Sequence, residues 1–338
     1  MKKMLSLALC VLMLCSLLVG CGETQTPADN QGHSTETEES IPTTNPATVS
    51  IGSGTSGGAF YMVGAALAQT IQKYDSNLSV NSEATGGTSE NIALVSSEET
   101  TIGMGMCDDI ITAYSGERDY EGNAASNLRV LMSGQTNTFH IIVRADSDIH
   151  SLTDIKGKRV SLGPSGAPYF GPDMIEATTG YVNGQDYTGQ YLGHDQAAEA
   201  LQNGDIDVLI ATLAYPASAY ANMALSVDVR FISLTEDEMT KAIAAHPAWK
   251  DSGIPAGTYE GQTEDVYTPA VPVWLFTYEN VSDDVIYRCV KAILEHSDEL
   301  GTIHADAGKY TLKTATAGLG EVPIHNGALL YYKEMGVM

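Results

Sequence analysis

The sequence predicts an α/β fold with largely parallel sheets, and three observations carry that expectation. From residue 47 onward, short β-prone runs alternate with runs whose apolar residues recur at helical spacing. Three glycine-rich segments, 52–58, 85–88 and 163–166, each follow a predicted strand and lead into a predicted helix. The stretch after residue 47 is also long enough for two lobes of ordinary domain size.

Taken in order, 47–51 (ATVSI) reads as a strand and 59–73 as a helix. Residues 78–84 alternate like a strand, and 89–97 read as a helix. A short strand over 101–106 is followed by a helix over 108–114. Two separate strands are predicted at 128–132 and 139–144, then a helical turn at 151–157 and a strand at 159–162. Helices near 169–178 and 195–203 and a strand at 206–211 complete the alternation, which favours helices packed on a mainly parallel sheet.

Glycines between a strand and a helix let the backbone bend sharply and bring N–H groups toward a ligand. The helix that follows adds unpaired N–H donors and the positive end of its dipole. In open α/β sheets, ligands bind at this C-terminal edge of the strands. The three loops therefore predict one site built largely from backbone amides.

The first residues form a separate unit. Lys2 and Lys3 precede an apolar run from Met4 to Val19, the layout of an export signal over 1–20. The run ends in Leu18-Val19-Gly20-Cys21, which resembles the lipobox of bacterial lipoproteins and makes Cys21 the expected lipidation site. Several acyl chains together give stable anchoring to a membrane. Residues 21–47 then carry the lipidated cysteine and a Thr-, Pro-, Glu- and Ser-rich stretch too polar to build a core, hence a disordered tether. Such a tether spans on the order of 30 Å. The expected location is extracytoplasmic, on the outer face of the cell membrane or in the periplasm.

The formal net charge is −25, and loss of Lys2 and Lys3 would take it to −27. A body so acidic repels nucleic acid, so no nucleic-acid partner is expected. Cys10 and Cys15 would leave with the signal, so only Cys107 and Cys289 remain in the folded part, read as two separate buried thiols.

Two well-known patterns overlap in the first loop. Gly52-Ser-Gly54-Thr-Ser-Gly57 fits a dinucleotide-binding fingerprint, with Asp75 near the distance of a ribose partner. Export argues against it, because soluble nicotinamide cofactors are scarce outside the cell. Gly54-Thr-Ser56-Gly-Gly58 fits a hydrolase nucleophile elbow, with His304 and His325 formally available as a base. It follows the first strand, however, with no preceding half-sheet to support a hydrolase core. The histidines form no H-E-x-x-H or comparable pair. No catalytic residue, metal or cofactor is expected, and an exported serine hydrolase is the enzyme alternative.

Five segments together resemble the TAXI-type solute receptors of TRAP transporters: IGSGTSGGAFYMVGAALA, ATGGTSENIALV, IHSLTDIKGKRVSLGPSG, LQNGDIDVLIA and VPIHNGALLYYKEMG. They are in family order and cover nearly all the chain after the tether. The resemblance implies a two-lobed periplasmic-binding-protein fold (type II-like), two α/β lobes joined by crossing hinge strands. Residues 48–134 with 270–338 would form lobe 1, and 135–269 lobe 2. It implies an extracytoplasmic receptor that delivers solute to an integral-membrane TRAP permease. Characterised members point to glutamate, glutamine or a related carboxylate, and amide-rich loops suit a carboxylate on physical grounds. Carried over position by position, the ligand-binding residues are Gly57, Gly58, Tyr61, Gly87, Thr88, Asn91, Ser165, Gly166 and Tyr215. Asn91 is expected to face the cleft. The pattern is departed from at Phe60, Thr88, Ala167-Pro168, Ala214 and Asn326. An ABC-type or sensor-associated receptor on the same fold is the other binding-protein reading.

Overall fold

A computed structural model of the protein describes residues 44–54, 56 and 58–338. The signal, Cys21, all but the last residues of the tether, and Gly57 lie outside the described residues. The described body of the chain is one compact unit.

The first strands and helices follow the predicted order: β1 (Ala47–Gly52), α1 (Ala59–Tyr74), β2 (Leu78–Glu83), α2 (Thr88–Ser96), β3 (Ile102–Met106) and α3 (Cys107–Ser115). Helix α1 shows why. It buries Val63, Ala66, Leu67, Thr70 and Ile71, one stripe at three- and four-residue spacing, and carries Lys73 at its negative end.

A single 17-residue strand, β4 (Leu128–Arg144), replaces the two predicted strands. Its middle, Ser133-Gly-Gln-Thr-Asn-Thr138, has the composition of a loop. Pairing with a distant strand overrides that local preference.

The chain continues through β5 (Arg159–Ser161), α4 (Phe170–Thr179), β6 (Thr188–Gln190), α5 (His194–Asn203), β7 (Val208–Leu213), α6 (Ser218–Ala224), β8 (Val229–Phe231) and α7 (Glu236–Ala245). A small ribbon, β9 (Gly253–Ile254) with β10 (Val266–Tyr267), precedes β11 (Ala270–Tyr278). Helices α8 (Asp283–Glu295), α9 (Ser297–Ile303), α10 (Leu312–Ala315) and α11 (Asn326–Glu334) close the chain.

One nine-stranded sheet runs β2-β1-β3-β11-β4-β7-β5-β6, with β8 also paired to β4. It is mixed, which corrects the expectation of largely parallel sheets. The β1–β2, β1–β3, β5–β6 and β5–β7 pairs are parallel, as predicted for the alternating segments. Strand β11, arriving from late in the chain, inserts antiparallel between β3 and β4. The first part of β4 pairs with Trp274–Tyr278, its middle with Ala270–Pro272, and its last part with β7. A register shift between Pro272 and Trp274 marks the middle of the crossing. Strand β4 therefore belongs to two halves of the sheet, and the predicted boundaries at 134/135 and 269/270 fall on β4 and just before β11.

Three buried clusters surround the sheet. One lies between β1 to β3 and α1, α8 and α11. Another lies beneath α5 and α6, around Leu201, Leu209 and Tyr220. The third runs along one face past β4, from Ile92, Ile110 and Trp274 to Phe139, Phe170 and Trp249. Cys107 and Cys289 are free, buried and in different clusters, and burial pushes both thiols up, Cys289 to about 12. Buried Arg288 pairs with Asp75 at 3.0 Å and Asp284 at 3.1 Å, and donates to the Asn45 carbonyl at 2.8 Å. That triple contact fixes where the chain enters the body. It also occupies Asp75, the residue at the ribose distance of the dinucleotide pattern. No helix among the described residues is long and apolar enough to cross a membrane.

Candidate functional site

The first loop leaves β1 at Gly52 and is stitched to the second. Ser53 donates its N–H and its hydroxyl to the Glu83 carbonyl at 3.0 and 2.6 Å, and Thr85 N–H donates to the Gly54 carbonyl at 3.1 Å. Gly58 caps α1, and Tyr61, half-buried, stands in its first turn. Two glycines of this loop serve packing. A Cβ on Gly52 would lie 2.6 Å from Asn91 Oδ1, and one on Gly54 would lie 2.8 Å from Phe60 Cβ.

The second loop turns into α2 at Gly87, whose φ of +100° needs a residue without a Cβ. Gly86 N–H donates to Glu90 Oε2 at 2.6 Å, and Gly87 N–H donates to the Thr85 hydroxyl at 3.2 Å. The amides of this turn thus donate to side chains of their own segment. Thr88 is buried, and its hydroxyl accepts from Met106 N–H at 3.3 Å. Asn91 does not face an open cleft as expected. It is 0% exposed, and its amide nitrogen donates to the Ser53 and Met104 carbonyls, both at 2.8 Å. Its side chain ties α2 to the ends of β1 and β3; Oδ1 has no hydrogen-bond partner among the described residues.

On the far side of β4, the loop after β5 turns at Gly163 (φ +90°) and exposes Ser165 and Gly166. This loop meets the second one. The Ser89 hydroxyl donates to the Gly166 carbonyl at 3.1 Å, and a Cβ on Gly166 would stand 3.4 Å from the Gly86 carbonyl oxygen. Two loops singled out in the sequence, from opposite halves of the sheet, are in contact.

Tyr215 lies half-buried in the loop after β7, joined to Pro216 by a cis peptide. A buried chain of hydrogen bonds holds this loop. Ala217 N–H donates to the Tyr259 hydroxyl at 2.8 Å, and Tyr259 O–H lies 2.7 Å from His140 Nε2. His140 Nδ1 lies 2.9 Å from the Thr138 carbonyl. Burial lowers the His140 pKa to about 4, so the ring is neutral, with Nδ1 carrying the proton and Nε2 accepting from Tyr259.

Residues 51–336 match the NMT1-like family over most of the chain's length. The chain belongs to the NMT1-like family. Among solved structures it is similar to the binding-protein component of an ABC phosphonate transporter from Pseudomonas aeruginosa, at 13% identity and a TM-score of 0.50, over 79% of this chain and 80% of that one. The periplasmic aliphatic sulphonate-binding protein of Escherichia coli matches at 16% identity and a TM-score of 0.47, over 86% and 79%. The alkanesulfonate-binding protein of Xanthomonas axonopodis matches at 15% and 0.44, over 86% and 84%. At such identities the likeness concerns fold alone, and the Pseudomonas match carries it: a two-lobed periplasmic-binding-protein fold.

In this NMT1-like chain the histidines named for a hydrolase serve the scaffold. His325 caps α11 by accepting Gly327 N–H at Nδ1, 3.1 Å, while Nε2 lies 3.1 Å from the Val281 carbonyl. His304 Nδ1 accepts Asp306 N–H at 3.2 Å. Among the described residues no group of three His, Cys, Asp or Glu side chains is placed to hold a metal. Two open recesses of about 590 and 630 Å³ lie along α1 and the edge strand β2, lined by residues such as Gln72, Lys73 and Asn77, and include none of the predicted site residues.

Sequence reasoning missed a group of residues that bring α3 and the turn after it against the start of α4 and the segment after α7: Asp108, Asp109, Arg118, Tyr169, Asp173, His246 and Trp249. Asp108-Asp109 at the predicted start of α3 was the available signal. The other members come from three separate segments that no local pattern joins.

Replacing Tyr259 with Phe in this NMT1-like chain is expected to cost on the order of 2–4 kcal/mol, because it strands both a buried N–H and a buried ring nitrogen. Urea unfolding reads the cost, and hydrogen exchange at the Ala217 amide reads the loosening of the Tyr215 loop. Unchanged exchange there would show that Tyr259 does not hold the loop.

Proposed function

We propose that this chain is an extracytoplasmic solute receptor that takes a small carboxylate or amino acid between its two halves and passes it to a membrane transporter. The halves are residues 48–134 with 270–338, and residues 135–269. The observation that carries the reading is the contact between Ser89 and Gly166, which joins loops from opposite sides of the crossing strand β4. Membership of the NMT1-like family and the binding-protein fold support it. Gly57, Gly58, Tyr61, Thr88, Ser165, Gly166 and Tyr215 are the proposed ligand contacts. Clefts between lobes bury most of a small ligand and fix it with few polar groups. Asn91 enters the proposal through its position beneath the first two loops, and Gly87 through the turn it permits.

The transporter is proposed to be a TRAP permease, on the sequence resemblance, with the receptor held at the membrane by acylated Cys21. An ABC transporter is the second reading, favoured by the fold neighbour from an ABC phosphonate system. The neighbouring genes separate the two: a fused TRAP-like permease favours the first, an ATPase with permeases the second.

The test of the site is mass spectrometry of small molecules released on denaturing natively purified protein. A glutamate-like acid or another small carboxylate is expected. A released sulfonate or phosphonate would replace the ligand class while keeping the receptor role. A protein that carries no small molecule and binds none from a panel of such acids in calorimetry would remove the reading.

A further inference from the structure

Away from the predicted contacts, polar groups of α3 and the turn after it reach across to the other half. The indole N–H of Trp249 donates to Asp108 Oδ2 at 2.5 Å, and His246 Nδ1 lies 3.4 Å from the same oxygen, its ring stacked on Trp249 at 4.1 Å. The Arg118 guanidinium donates to Asp173 Oδ2 at 2.9 Å and lies 4.4 Å over the Tyr169 ring. Asp173 lies in the first turn of α4, and Tyr169 is that helix's N-cap.

The backbone of Arg118 carries an independent mark. Its φ is +52°, in the left-handed region that disfavours a residue with a Cβ. Such strain persists where surrounding contacts over-determine the conformation. Here the side chain is fixed by an ion pair and an aromatic face at once. The charge also acts on the carboxylates of Asp109, on its own side, and Asp173, on the other.

We propose that Asp108 and Arg118 form a two-point clasp that holds the halves together on the α3–α4 side independently of ligand. The clasp rests on the reading that the halves are separate bodies able to open. It sets the fraction of receptor that is ready to bind, and apparent affinity scales with that fraction. Because Phe139 packs on Trp249 at 4.7 Å, the Asp108 contact is backed by the buried cluster that runs past β4 from one half to the other. The Arg118 contact is the more exposed of the two, with side chains 35% and 19% exposed in the pair.

Arg118→Gly separates the clasp from folding, since glycine accepts the left-handed backbone while losing both side-chain contacts. Small-angle scattering and acrylamide quenching of tryptophan, on protein freed of small molecules, read the opening. The closed-to-open ratio is expected to fall about five-fold, the size of a partly exposed ion pair. The radius of gyration should rise and Trp249 should become more accessible, with the urea midpoint kept. If Arg118→Gly does not fold, Asp173→Asn reads the same quantities. Folded variants that scatter and quench like the wild type overturn the clasp. This comparison needs no ligand, so it can fail while a released carboxylate still supports the receptor reading, and the reverse.

Discussion

Asn91→Ala is expected to destabilise the protein by on the order of 2–4 kcal/mol, because two buried carbonyls lose their donor and a polar cavity opens between α2 and the sheet. The carbonyls are those of Ser53 and Met104, at the ends of β1 and β3. Gly52 has no Cβ, and its space is filled by Asn91 Oδ1. Loss of the amide therefore loosens the first loop as well as the second. The measurement is a urea melt, alongside calorimetry with whatever small molecule the wild type releases. A variant as stable as the wild type would show that the two hydrogen bonds contribute nothing net. If stability falls but affinity per folded molecule does not, Asn91 supports the loops without touching ligand.

Asp109→Asn is expected to stabilise the protein at pH 8 and to change little near pH 4. Asp109 is 9% exposed, and its Oδ2 has no hydrogen-bond partner among the described residues. Burial first, then the neighbouring Asp108 carboxylate, raises its pKa from 3.8 to about 7. The folded state thus holds a proton at pH values where the unfolded state has released it. Wild-type stability should fall as pH rises from about 4 through about 7, by on the order of 2–4 kcal/mol. The asparagine variant lacks that slope. His140 acts in the opposite direction: its ring protonates near pH 4 in the fold but near 6.5 when unfolded, so stability falls as pH drops through that window. Urea midpoints at several pH values, compared between wild type and Asp109→Asn, isolate the Asp109 slope. Parallel pH profiles for the two proteins would show that Asp109 stays ionised in the fold.

Between residues 47 and 211 the sequence by itself shows most of the alternation of strands and helices and the three loops between them, although it misses β6 and divides β4 in two. These depend on periods of two and 3.6 and on glycine, which are local properties. Helix α1 is legible because its buried stripe repeats every turn. The glycine at 87 is legible because its backbone angle admits little else. Tertiary structure decided what the same letters are used for. Ser133–Thr138 reads as a loop and becomes the middle of the crossing strand, because β11, more than 130 residues away in sequence, supplies its hydrogen-bond partners. Gly52 looks like a ligand-loop glycine and instead makes room for Asn91. Asn91 looks like a ligand contact and is fully buried, since the carbonyls it satisfies come from two other strands. The group around Asp108 and Arg118 exists only after folding. Its members lie up to 141 residues apart, and a charge-assisted contact at that separation leaves no periodicity for a sequence to show.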